Sequence, residues 1–325
     1  MKNKKRLFIT GLLLTFVICI SQAFLCFAET AAGSGFETKE DAARAYIQGF
    51  INHDVSQMLS ACALETYVDH YDLERQIERN RSLPPIAAYG YVPANGDFAY
   101  QINLETRRSE LMRMIRNQYL SLTGSDIQQL SGNVILDDYD SAADLISSVF
   151  GPENAQVTME GDILPGYLLS SLMLTATGQW GGAMTAYADH AERVDSVAAF
   201  LRIDGTLYVM TLGTECFDGK WYVTPFNLLQ NIMAMDVFTG GLVPMEVGIS
   251  DEEVQALMDT IFQDERLNSI FQKVEEALSS LDLEEIFAVS DVQTVRKDSY
   301  AQAFEDALNA YLSEEERAYL NAIME

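Results

Sequence analysis

The chain has 325 residues, with 48 acidic against 21 basic side chains, a net charge of −27 and only three histidines. A field of that sign repels phosphate backbones, which argues against nucleic acid as a partner. So few histidines leave little general-base chemistry outside carboxylates, and the length allows one large core or a domain with a smaller one beside it.

Lys2, Lys4, Lys5 and Arg6 precede an apolar run over 7–20, and two small-residue cleavage sites follow, ending at Ala23 and Ala28. This pattern predicts a secretory signal peptide over 1–28 with cleavage after Ala28. The alternative is an uncleaved membrane anchor over 7–28, the one way in which the membrane would become a partner. Removal of 1–28 takes away four cations and no anions, moving the net charge from −27 to −31. Of the four cysteines, Cys62 and Cys216 then remain, as a possible disulfide or as two buried free thiols.

After a short leader, Thr38 and Asp41 form a capping-box-like start to a helix with Ala43, Tyr46, Ile47 and Phe50 on one face. Asn52-His53-Asp54 makes a turn, His53 reads as a turn histidine in solvent, and Asp54 with Gln57 caps a second short helix bearing Val55, Met58, Leu59 and Cys62. His70, flanked by Asp69, Asp72 and Glu74, is the densest histidine–carboxylate cluster, and a solvated helix face accounts for it without a metal. Residues 86–103 read as a hairpin or long loop. A helix over 104–122 follows, with Leu111, Met114, Ile115, Tyr119 and Leu122 inward and Arg107, Arg108, Arg113 and Arg116 as a basic cluster. In so acidic a chain that cluster is expected to pair with internal carboxylates.

The 132–138 segment reads as a strand, and Asp137, Asp138, Asp140 and Asp144 lack the glycine and glutamate spacing of a calcium-binding EF-hand loop. Residues 154–161 suggest another strand, 163–174 is apolar without a clear period, Gly178 to Gly182 reads as a flexible joint, and 183–194 as a helix carrying His190 beside Asp189. The plainest signal is 197–225, where Asp204-Gly205 and Asp218-Gly219 each interrupt runs of β-branched and aromatic residues. Asp-Gly suits a two-residue hairpin turn with positive φ at both positions, so Ile203 should pair with Thr206 and Phe217 with Lys220. One face then carries Val197, Ala199, Leu201, Ile203, Tyr208, Met210, Leu212, Cys216, Trp221 and Val223, turned toward the helix of Tyr46 and Phe50. The other mixes Phe200, Leu207 and Val209 with Arg202, Glu215, Lys220 and Tyr222. A helix over 228–238 and a Gly-Gly- and Pro-containing linker lead to the region beyond 250, where Ser250/Glu253 and Ser313/Glu316 form capping boxes. Between them lie a helix with Leu267, Ile270, Phe271, Val274, Ala277, Leu278 and Leu281 inward, and another from about 297 with Tyr300, Phe304, Leu308 and Tyr311.

The predicted architecture is α+β: an antiparallel meander packed on N-terminal helices over 37–238, then an acidic all-helical subdomain over 249–325. The run EDAARAYIQGFINHDVSQMLSAC, with IDGTLYV and FDGKWYV far downstream, resembles secreted proteins of Gram-positive bacteria with a nuclear-transport-factor-two-like fold. The resemblance covers 37–67 and 195–226 and implies a cone-shaped sheet closed by the opening helices; it implies no particular activity, because that fold hosts enzymes and binding modules alike. No Gly-x-Ser-x-Gly, His-Glu-x-x-His, zinc-cysteine or phosphate-cradling motif occurs, so no metal or cofactor is expected. The reading is a secreted or envelope-located, non-catalytic binding module whose partner is a protein or a small apolar ligand. The alternative is an extracytoplasmic enzyme with a carboxylate such as Asp69, or a tyrosine, inside the cone.

Overall fold

The computed structural model describes residues 34–82, 91–93, 95–122, 156–169, 171–227, 240–245, 256, 259 and 263–324. The signal segment with its cleavage after Ala28, the 132–138 strand with its acidic run, the 228–238 helix and the Ser250/Glu253 box lie outside the described residues.

Helix α1 (Lys39–Ile51) begins where Thr38 accepts a hydrogen bond from the Asp41 amide, and Ala42, Ala43, Tyr46, Ile47 and Phe50 are all buried. Asp54 caps α2 (Val55–Ser60) in the same way through the Gln57 amide. Short helices α3 (Glu65–His70) and α4 (Leu73–Ser82) follow. Helix α5 (Asp97–Ser121) starts seven residues earlier than the sequence pattern suggests, directly after Gly96 at φ +117°. The segment read as a hairpin or loop is helical from Asp97, and Asn103 within it is fully buried, donating to the Val92 carbonyl and accepting from the Val92 amide.

Strand β1 (Val157–Pro165) opens the sheet, and helix α6 (Ala176–Asp189) follows two short 3₁₀ turns. The glycines read as a joint sit inside α6: Thr175 caps it, Gly178 and Gly182 are buried, and Trp180 is 5% exposed. Small residues there let neighbours approach the helix, and packing outweighs their low helical propensity.

Strands β2 (Arg193–Ile203), β3 (Thr206–Phe217) and β4 (Lys220–Thr224) form the meander with the expected register, Ile203 opposite Thr206 and Phe217 opposite Lys220. Asp204, Gly205, Asp218 and Gly219 all have positive φ, between 49° and 80°, as that hairpin turn requires. The sheet order is β1-β2-β3-β4, all antiparallel, and β5 (Leu242–Pro244) pairs with the start of β3. Gly213 is required by close approach: a Cβ there would lie 1.4 Å from the Phe226 carbonyl oxygen.

Both faces of this sheet are covered. Helix α1 lies across the face carrying Val197, Ala199, Leu201, Met210, Leu212 and Val223. Trp221 is half-buried, with the Arg193 guanidinium 5.7 Å from its ring, so it is a flank of the core and not its centre. The opposite face, mixed by sequence, is not left to solvent: Phe200, Glu215 and Tyr222 are at most 5% exposed.

Beyond 263 the chain is helical: α7 (Glu265–Ser279), α8 (Leu283–Ala288), α9 (Gln293–Tyr311) and α10 (Glu314–Met324), with Ser313 and Glu316 closing a reciprocal capping box. The stripe Leu267, Ile270, Phe271, Val274, Ala277 and Leu278 is buried as its spacing predicts, whereas Tyr311 is exposed. These helices pack on the rest of the chain. Phe287 of α8 stacks on Trp180 at 5.5 Å and Tyr187 at 4.6 Å, and Phe271 meets Tyr167 at 5.4 Å. Glu275 of α7 reaches Lys39 at 2.6 Å and Arg193 at 2.8 Å, completing a quartet around buried Lys39 and Asp195 in which Glu275 itself is half-buried. Burial works against the Lys39 ammonium, but Asp195 and Glu275 outweigh it and raise its pKa. Among the described residues, no helix is long and apolar enough to cross a membrane.

Candidate functional site

Two concave regions flank α4. The first is lined mostly by buried side chains and opens past exposed Arg113. Arg107 of α5 reaches Glu215 of β3 at 3.2 Å and Glu110 at 3.6 Å, donates to the Ala63 carbonyl and the Thr224 hydroxyl, and lies 3.6 Å from the Tyr67 ring centroid. Burial opposes the Arg107 charge, but Glu215 more than compensates and raises its pKa. Thr224 donates to the second oxygen of Glu215 at 2.8 Å, and Tyr91 donates to Glu110 at 2.8 Å. At the C-terminal end of α6, Asp189 is 4% exposed and accepts from Gln76 and from Tyr67. Burial, then the negative charge of Glu215, pushes its carboxyl up to about 8. A cavity of about 60 Å³ lies among these groups, with Arg79, Thr185 and Phe226 also in its wall and exposed Arg113 at its rim. That volume suits a few waters or one small ion, far below the ~300–1,000 Å³ of ordinary ligand clefts.

The second is a surface cleft of about 450 Å³ between α4, α6 and the start of α9. Trp180 and Met184 form its floor, with Glu74, Glu78 and Arg81 on one wall and Asp291, Gln293 and Arg296 on the other. Arg296, 6% exposed, pairs with Glu78 and reaches Asp291 at 3.6 Å. Ile77 shares the α4 stripe of Glu74, Glu78 and Arg81, and Val292 and Val295 adjoin Asp291 and Arg296. These three are exposed by 44%, 57% and 45%.

The residues singled out by sequence fall mostly elsewhere. Asp69, offered as a catalytic carboxylate, is exposed beside Tyr100, outside the lining of the first cavity. His70 rests its Nδ1 against the Thr66 carbonyl at 2.8 Å and its Nε2 3.6 Å from Asp218. His53 is half-buried at positive φ, edge-on to Tyr119. Among the described residues, no group of three or more His, Cys, Asp or Glu side chains could hold a metal ion.

The possible Cys62–Cys216 disulfide is not formed, and both residues are buried free thiols. Cys216 pairs with Trp221 on one side of β4, while Cys62 bridges Val223 on the other. Two strand spacings amount to about 9–10 Å, beyond the Cα separation a disulfide tolerates. Of the arginine cluster, Arg107 meets internal carboxylates, whereas Arg108 pairs with Glu105 in the open. Arg79 is 3% exposed, although a single arginine in a charged surface-like helix carries no sign of burial in the sequence.

No protein-family model matches the chain, and no curated protein matches it. The α+β architecture is similar to a solved structure described as a cystatin-like protein from Ruminococcus gnavus, 10% identical, covering 88% of this chain and 73% of that one, with a TM-score of 0.38. A likeness at that level is a weak one of overall shape and carries no argument about the site. The nuclear-transport-factor-two-like resemblance has no family match behind it.

Proposed function

We propose that the chain is an exported, non-catalytic binding module of the cell envelope or extracellular space, and that its ligand occupies the cleft between α4, α6 and α9. The observation that carries the reading is a coincidence of volume and exposure. The cleft's size of about 450 Å³ falls in the range of ligand sites, and among the described residues three of the six exposed large hydrophobic side chains, Ile77, Val292 and Val295, adjoin its lining. Its walls carry carboxylates and guanidinia in near balance. The partner is therefore a small amphipathic molecule, or an aliphatic segment of a protein, flanked by polar groups. Export rests on the basic, apolar and small-residue succession of 1–28, and N-terminal sequencing of secreted protein should return Glu29 as the first residue.

Tryptophan emission provides the test, because Trp180 and Trp221 are the two tryptophans of the chain. With Trp221→Phe as background, amphipathic peptides and acyl compounds that bind the cleft should shift Trp180 emission, and Ile77→Asp with Val292→Asp should abolish the shift. A shift that survives both substitutions would place the ligand elsewhere. The enzyme alternative has Asp189 in its favour, a carboxyl held up to about 8 beside Tyr67. Against it stands a cavity of about 60 Å³, which admits no ordinary substrate. Turnover of any screened compound that is lost in Asp189→Asn would reverse this preference.

A further inference from the structure

Glu74, Ile77, Glu78 and Arg81 form one stripe of α4 at helical spacing, and its three charged members line the cleft. Glu78, in the middle, is taken by Arg296, which also reaches Asp291 at 3.6 Å. The two ends of the stripe have no such partner. The Glu74 carboxylate and the Arg81 guanidinium are both exposed, and neither joins an ion pair or a side-chain hydrogen bond among the described residues. They do not neutralise each other either. Seven helical positions set them about 10 Å apart along the axis, beyond the one-turn reach of a pair on a helix surface. Trp180 and Met184 floor the space between the walls, and Ile77, midway along the stripe, is 44% exposed.

We propose, resting on the cleft as the ligand site, that its occupant is a short zwitterionic peptide of about three residues with free termini. Its ammonium lies against Glu74, its carboxylate against Arg81, and an aliphatic middle side chain over Trp180 and Met184. The length follows from the spacing of the two charges. An extended chain advances ~3.3–3.6 Å per residue, so three residues span the separation that the helix imposes. A single amino acid is too short to meet both ends. The polarity follows from the side chains: a guanidinium fork matches a carboxylate, and a carboxylate accepts from an ammonium. A fatty acid would satisfy Arg81 and leave Glu74 facing apolar chain, and an alkyl amine would do the reverse. The cleft of about 450 Å³ holds such a peptide whole, within the range of ligand sites.

Titration of the tripeptide Ala-Leu-Ala into the Trp221→Phe protein, followed by Trp180 emission and by calorimetry, tests the proposal. Its N-acetylated, C-amidated and doubly blocked forms are the comparisons. The free peptide should saturate, and each block should weaken binding roughly three- to tenfold. Glu74→Gln should remove the discrimination against the acetylated form alone, and Arg81→Gln the discrimination against the amide alone. Both positions are exposed, so neither substitution disturbs packing. Equal binding of the free and doubly blocked peptides, or binding of acyl compounds but of no peptide, would overturn the zwitterion and leave the cleft as a ligand site. Peptide binding that ignores Glu74→Gln and Arg81→Gln yet is lost in Ile77→Asp with Val292→Asp would do the same. Silence in both measurements with every peptide and acyl probe would overturn both readings.

Discussion

Arg107 on α5 and Glu215 on β3 close a 3.2 Å ion pair inside the protein across 108 positions of sequence. The pair ties α5 to the sheet face opposite α1, and the Ala63 carbonyl and Thr224 hydroxyl complete its hydrogen bonding. Removing one partner strands the other, so Arg107→Ala should cost about 3–5 kcal/mol in urea unfolding. Arg107→Met combined with Glu215→Leu should cost less than Arg107→Met alone, because no buried charge is then left unpaired. A double variant weaker than the single would show that the pair itself contributes the stability.

Asp189 gives the stability a pH dependence of known sign. Unfolded, its carboxyl releases its proton near ~4, whereas the folded protein retains it up to about 8. Between those values the native state binds more protons, so Asp189's contribution is whole below pH 4 and is lost as pH rises toward 8. Asp189→Asn retains an acceptor for Gln76 and should be relatively more stable than wild type at pH 8 than at pH 5. Parallel denaturation curves for the two proteins across that window would contradict this.

Gly213→Ala has no room. Its Cβ would overlap the Phe226 carbonyl at 1.4 Å, and both backbones are held in place, Gly213 opposite Thr224 in the β3–β4 pairing. The substitution should destabilise by more than about 3 kcal/mol or prevent folding, read from the urea midpoint. A loss under about 1 kcal/mol would mean that the segment after β4 does not cross Gly213.

The thiols should be silent. Burial pushes the Cys62 thiol up to about 12, and burial followed by the charge of Glu192 does the same for Cys216. Little thiolate exists at neutral pH, so an aromatic disulfide reagent should label the native mature chain slowly. Under denaturation without reductant it should report both thiols.

Truncation after Met245 tests how far the C-terminal helices stand apart. It removes Glu275 from Lys39 and Arg193, and Phe287 from Trp180 and Tyr187. Residues 29–245 should therefore elute as aggregates and lack a cooperative melt by circular dichroism. A monodisperse, cooperatively melting fragment would establish the separate subdomain that the 239–248 composition suggests.

What could be read from the sequence was local. Asp204-Gly205 and Asp218-Gly219 set the hairpin register because positive φ at both turn positions is a property of two adjacent residues. Thr38, Asp54 and Ser313 start helices because a cap bonds within three residues of itself. The α7 stripe was legible because helical period alone places it on one face. The glycines of α6 and the burial of Glu215 and Arg79 were not. Each depends on what packs there from more than a hundred positions away: Phe287 on Trp180, Arg107 on Glu215, Thr185 on Arg79. Period and capping report a residue's near neighbours, whereas burial of a charge and the shape of a cavity are decided only when distant segments meet. Both candidate sites belong to that second kind.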